Sequence, residues 1–129
     1  MYVEYNPNPD RKLVDDCVIR AICKITNKDW EQVYTELMVE GLEVHDWPMK
    51  NYVWGRYLSN NDFTKHLLPD TCPFCYTTKH FCNDHPIGSY ILATGTHVIA
   101  VVNGDYYDTW DSGDEVPVYY WKRKETYTP

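Results

Sequence analysis

The chain has 129 residues, 43% hydrophobic and 24% charged, which is a globular profile of about one domain's length. Its 19 acidic and 12 basic residues leave a net charge of −7, which argues against a non-specific nucleic-acid or anionic-membrane binder. No stretch approaches the ~20 apolar residues of a membrane span, so a single domain over residues 1–129 is expected.

Residues 1–12 are polar and carry Asn6-Pro7 and Asn8-Pro9, so they read as an extended lead-in or turn. A helix starts at Asp16, a good N-cap, and follows the apolar stripe Val18, Ala21, Ile22, Ile25 before ending near Thr26-Asn27. The next carries Asp29 and Glu31 at its start, then the stripe Trp30, Val33, Tyr34, Leu37, with Gly41 as its stop. Asp46-Trp47-Pro48 predicts a third start, continued by Met49, Tyr52, Val53 and Tyr57 to Asn60-Asn61. Phe63 to Leu68 reads as a short strand, and Thr77 to His85 as a short helix.

From there the apolar period changes from 3.6 to 2. Ser89–Ala93, Thr96–Val102, Asp105–Asp108 and Val116–Trp121 read as strands, and Asn103-Gly104 predicts a two-residue type I′ hairpin. Helices followed by a meander imply an α+β domain, N-terminal helices packed on a C-terminal antiparallel sheet. The basic run Lys122-Arg123-Lys124, broken by Glu125, reads as a solvated strand end.

Cys17 directly follows the expected N-cap, where free N–H groups and the helix dipole favour a thiolate and can hold an oxyanion. Asp15 and Asp16 oppose this unless they are tied up, and Arg20, one turn on, either helps or is solvated. His97 opens the strand THVIAVV. With a two-residue loop at Asn103-Gly104, position 97 faces Trp110 and Ile99 faces Asp108, so Asp108 is the same-face diagonal neighbour of His97. A three-residue loop would flip the parity and make Asp111 the partner. Taken singly, a buried cysteine and a strand-end histidine are ordinary; the combination with a same-face carboxylate is a candidate triad.

These segments, DDCVIRAI around Cys17, THVIAVV from His97 and YYDTWDSG carrying Asp108, resemble the papain-like cysteine peptidase superfamily. That family places its nucleophile at the start of its first major helix, its histidine at the opening of a later strand and an Asn or Asp at the end of the next. Asp108-Thr109-Trp110 is similar to the family's Asn-Ser-Trp, whose first residue orients the histidine and whose Trp shields the pair. The whole chain is also similar to small bacteriophage and gut-bacterial proteins sharing DCVIRA, W-x-x-V-Y and HP-x-G-x-Y…HV-x-AV-x-G…YYDTWD. The resemblance implies a papain-like fold and a Cys17-His97-Asp108 triad. Two departures stand out: the family's Gln, the second oxyanion donor, is replaced six positions before Cys17 by Arg11, leaving Asn6 or Asn8 as substitutes, and the chain is much shorter than papain.

Cys72-Pro73-Phe74-Cys75, with His80, Cys82 and His85 downstream, offers the ligand types of a structural zinc site. The stretch Thr77-Thr78-Lys79 reads instead as an ordinary helix start, and neither metal nor cofactor is expected. Five cysteines are an odd number, and MYVEYNPNPDRK has no apolar run typical of a secretory signal, so a reducing cytoplasm is the expected setting. The leading expectation is a cysteine hydrolase, a peptidase or amidase acting on a peptide or amide substrate, a host protein included. The alternative is a non-catalytic binding or inhibitory module on a papain-like scaffold, phage-encoded in one version.

Overall fold

The computed structural model describes residues 1–124 and is an α+β structure of four helices and one six-stranded mixed sheet. In chain order the elements are β1 (Tyr2–Glu4), α1 (Cys17–Thr26), α2 (Trp30–Val44), α3 (Asn51–Asn60), β2 (Phe63–Leu67), α4 (Thr78–Asp84), β3 (Ser89–Ala93), β4 (Val98–Val102), β5 (Asp105–Asp108) and β6 (Tyr119–Arg123). Among the described residues no helix is long and apolar enough to cross a membrane.

The strands lie in the order β1-β5-β4-β3-β6-β2. Two of them precede the C-terminal meander in sequence, and β1 runs parallel to β5, so the sheet is mixed where an antiparallel one was expected. The lead-in therefore supplies an edge strand. Tyr2 pairs with Tyr106 and Glu4 with Asp108, and the next residue, Tyr5, donates its N–H to the Asp108 carbonyl at 2.8 Å.

The central strands read as continuous apolar runs because both faces are covered. On one face Ile91, Ala93, Val98 and Ala100 pack against Ile22 and Ile25 of α1, Leu37 of α2 and Trp54 of α3. On the other, Leu92, Ile99, Val101 and Tyr106 pack against Phe81 of α4. Successive side chains alternate between these layers, as a pleated strand requires. The hairpin turns on two residues: Asn103 has φ 48° and Gly104 φ 80°, and Val102 pairs directly with Asp105.

Several boundaries differ from expectation, each for a physical reason. α2 continues past Gly41 to Val44 and ends on His45 in the left-handed conformation. Gly41 serves the turn that follows, since a Cβ there would lie 2.7 Å from the Asp46 carbonyl oxygen and 3.1 Å from Pro48 Cδ. α3 begins at Asn51, not at Pro48, because residues 48–50 form a turn. β4 begins at Val98, leaving His97 in the preceding turn, where its N–H donates to Thr94 Oγ1 at 3.0 Å. β6 begins three residues later than expected, at Tyr119.

Helix propensity alone favours Ala over Gly by about 1 kcal/mol at an interior helical position. Gly41→Ala is nevertheless expected to lower the urea midpoint, because the carbonyl it meets belongs to backbone that cannot step aside. An unchanged or raised midpoint would show that the turn after α2 yields.

Candidate active site

The site lies where three elements end together: α1 starts at Cys17, β4 is about to start after His97, and β5 ends at Asp108. Its scaffold is a buried chain of polar groups. The Arg20 guanidinium, 6% exposed, donates from Nη1 to Asp16 Oδ1 and from Nη2 to Asp108 Oδ1 at 3.0 Å. The other Asp16 oxygen accepts from Trp30 Nε1 at 2.8 Å. Asp108, 1% exposed, takes His97 Nε2 at 2.6 Å and Ser112 Oγ at 2.7 Å on Oδ2, and the Thr109 N–H at 2.8 Å on Oδ1. Its backbone is held as well, since its carbonyl accepts from Tyr5 N–H and from Tyr2 Oη at 3.2 Å.

Asp16 occupies the N-cap position but makes no side-chain cap. Its carboxylate is taken by Arg20 and Trp30, so no side chain caps the first-turn N–H groups of α1, Cys17's among them. An uncapped helix start beside a thiol can hold negative charge on a neighbouring atom. Asp108 binds Nε2 of the imidazole, so Nδ1 is the ring nitrogen that this carboxylate leaves open.

Burial works against a charged His97, but the hydrogen bond to Asp108, the nearby Cys17 sulfur and the charges of both hold its pKa up at about 9. Burial likewise pushes Asp108 upward, and the hydrogen bonds from His97 and Ser112, the nearby imidazolium and the Thr109 N–H outweigh it, so its carboxyl titrates below the usual range. The two shifts agree: each partner keeps the other charged.

A cleft of about 480 Å³ opens over this group. Leu13, Val14 and Asp15, Met49 and Asn51, and Gly95, Thr96, Thr109 and Trp110 line it together with Cys17 and His97. The Trp110 ring lies 5.0 Å from the imidazole centroid at 36° and is 45% exposed.

The structure thus brings Cys17, His97 and Asp108 together. Asp111 is elsewhere, accepting from Tyr106 Oη and from the Gly113 N–H at 3.1 Å. Asn6, Asn8 and Arg11 do not line the cleft. Asn6 donates to the Lys12 carbonyl, Asn8 Oδ1 accepts from the Asp10 N–H, and Arg11 pairs with Glu4 at 3.8 Å. Sequence reasoning missed the parts played by Asp16, Trp30 and Ser112 and left Arg20 undecided. The one available signal was the spacing of Asp16 and Arg20 by four residues, which places a carboxylate and a guanidinium on one helix face.

The residues considered for zinc do not gather as a group of three or more among the described residues. Cys72 and Cys75 are exposed, Cys82 is buried beside Phe81, and His85 donates from Nδ1 to the Phe81 carbonyl at 2.9 Å. His80 instead closes a capping box with Thr77 at the start of α4. Among the described residues no three His, Cys, Asp or Glu side chains converge as a metal site would require.

Removing Arg20 strands two buried carboxylates. Arg20→Met is expected to cost about 3–5 kcal/mol in urea unfolding, and a loss under about 1 kcal/mol would mean that the network contributes little.

A second expectation concerns pH. The folded pKa of His97, about 9, lies above the ~6.5 of an unfolded histidine. The folded state therefore holds the proton more tightly. The resulting stabilisation is complete below pH ~6.5 and disappears as pH rises through about 9, on the order of 1–3 kcal/mol in all. Wild type should lose that much more stability than His97→Ala between pH 6.5 and 9.5; parallel curves would contradict it.

No family model matches this chain, and no curated protein or solved structure does either.

Proposed function

We propose that the protein is a cysteine hydrolase of papain-like design, a peptidase or amidase acting by acyl transfer through Cys17, His97 and Asp108. One observation carries the reading: a thiol at an uncapped helix start lines the same cleft as an imidazole whose Nε2 is held at 2.6 Å by a buried carboxylate.

In the reaction, Cys17 Sγ attacks the substrate carbonyl carbon while His97 Nδ1 holds the proton that the thiol has given up. The carbonyl oxygen becomes an oxyanion and lies against the first-turn N–H groups of α1. Collapse breaks the carbon–nitrogen bond, His97 protonates the departing amine, and a thioester remains on Cys17. Water then attacks the thioester, gives a proton to His97 and releases the acid, and the thiolate is regenerated beside the imidazolium. Asp108 keeps the ring in one orientation throughout, and Arg20 and Ser112 keep Asp108 in place.

An activated ester such as p-nitrophenyl acetate tests this without knowledge of the natural substrate. The expected result is an initial burst of nitrophenol, an acetyl adduct on Cys17 by mass spectrometry, and slower turnover. Cys17→Ala should abolish the burst, and His97→Ala should slow acylation by about 10²–10⁴-fold. Asp108→Asn should cost far more activity than Asp111→Asn, since only Asp108 touches the imidazole. If Cys17→Ala releases nitrophenol as fast as wild type, the thiol is not the nucleophile and a non-catalytic binding module becomes the better account.

A further inference from the structure

The cleft carries three charged side chains besides the Cys17–His97 pair, namely Asp15, Asp16 and Arg20. Two of them are spent inside the protein, because Arg20 bridges Asp16 and Asp108 and all three are buried. Asp15 differs. It is exposed, it lines the cleft two residues before Cys17, and among the described residues it has no hydrogen-bond or ion-pair partner. The imidazolium of His97 does not offset it, since that charge is already met at 2.6 Å by Asp108.

The same segment supplies apolar surface. Leu13, 78% exposed, and Val14, 44% exposed, are adjacent apolar side chains that line the same cleft. Residues 12–14 have no regular secondary structure, so the wall is an irregular strip with apolar side chains followed by one carboxylate. Apart from His97, Arg20 is the one basic residue among the described residues lining the cleft, and it is paired with Asp16 and Asp108.

We propose that the cleft selects cationic substrates: a peptide or amide with a lysine-like or arginine-like group near the scissile bond, held by Asp15, next to an apolar group seated on Leu13 and Val14. This rests on the hydrolase reading, deepens it to a substrate class, and makes Asp15 a specificity residue. The negative field of a −7 protein adds to the attraction at a distance, but Asp15 supplies the local part.

Two measurements separate this proposal from the reading beneath it. The first needs no turnover. Cys17 is modified with a trimethylammonium-bearing and a sulfonate-bearing methanethiosulfonate, each rate divided by that of neutral methyl methanethiosulfonate in the same variant. Peptide mass spectrometry isolates Cys17 from the exposed Cys72 and Cys75. At low salt the cationic reagent should be favoured over the anionic one by about fivefold to tenfold, the size expected for one unpaired charge in the same cleft. The ratio should approach one in Asp15→Asn and invert in Asp15→Lys.

The second measurement compares peptidyl amides bearing Lys, norleucine or Glu beside the scissile bond. Wild-type kcat/KM should fall in that order, and Asp15→Lys should move Glu above Lys. A reagent ratio that Asp15→Asn leaves unchanged overturns the proposal, as does cleavage of all three peptides at one rate, and in either case the ester burst of Cys17 still stands. An Asp15-dependent reagent ratio with no ester burst and no peptide cleavage overturns the hydrolase reading instead, leaving a cation-binding cleft.

Discussion

A guanidinium buried between two carboxylates is costly unless all three groups stay paired, and much of this molecule's arrangement follows from keeping Arg20, Asp16 and Asp108 together. The pair Arg20–Asp108 ties α1 to the last residue of β5, 88 positions away. That tie fixes how far the start of α1 sits along the sheet, and so where Cys17 stands relative to His97. It also fixes the charge. One cation and two anions leave a net negative group, which a protonated His97 brings to neutrality, and this matches the direction in which both His97 and Asp108 are shifted.

The same network settles a competition at the helix start. An aspartate at an N-cap ordinarily accepts from the N–H groups of the first turn and stabilises the helix by about 1 kcal/mol. Asp16 gives this up, because Arg20 and Trp30 take both its oxygens. The helix loses a cap, and the cleft gains unsatisfied donors beside a thiol. Local stability is given up at the point where the proposed reaction would place its oxyanion, while the mostly buried strands β3 and β4 lie behind the site.

Sequence periodicity reached the parts of the fold that depend on near neighbours. The stripe Val18, Ala21, Ile22, Ile25 is buried in α1, though Ile19, Arg20 and Cys23 are buried with it, and the Asn103-Gly104 turn has the two residues and positive φ values that the arithmetic pairing Asp108 with His97 assumed. What periodicity could not reach depends on distant partners. β1 is three residues long and pairs with a strand a hundred positions away, so nothing local distinguishes it from a lead-in. Gly41 looked like a helix stop because its true constraint, the approach of Asp46 and Pro48, is tertiary. Arg20 looked optional because its second carboxylate belongs to β5. The cysteines and histidines from Cys72 to His85 have the composition of a zinc site, yet Cys82 and His85 are committed to packing around Phe81.

The two cysteines of α1 show how far environment, and not residue type, decides chemistry. Cys23 is 2% exposed, and burial, with help from the charges of Asp29 and Asp16, pushes its thiol up to about 12. It is a small apolar side chain in all but name. Cys17, six residues earlier on the same helix, sits at an uncapped start, in the cleft that is also lined by His97, the imidazole whose pKa is held up at about 9. Moving from one to the other exchanges a dry core for a helix start without a side-chain cap and a neighbouring imidazolium, the surroundings that the proposed nucleophile requires. A helix with a buried cysteine therefore says little about function, whereas a helix whose first residue is cysteine and whose own N-cap has been drawn away says a good deal.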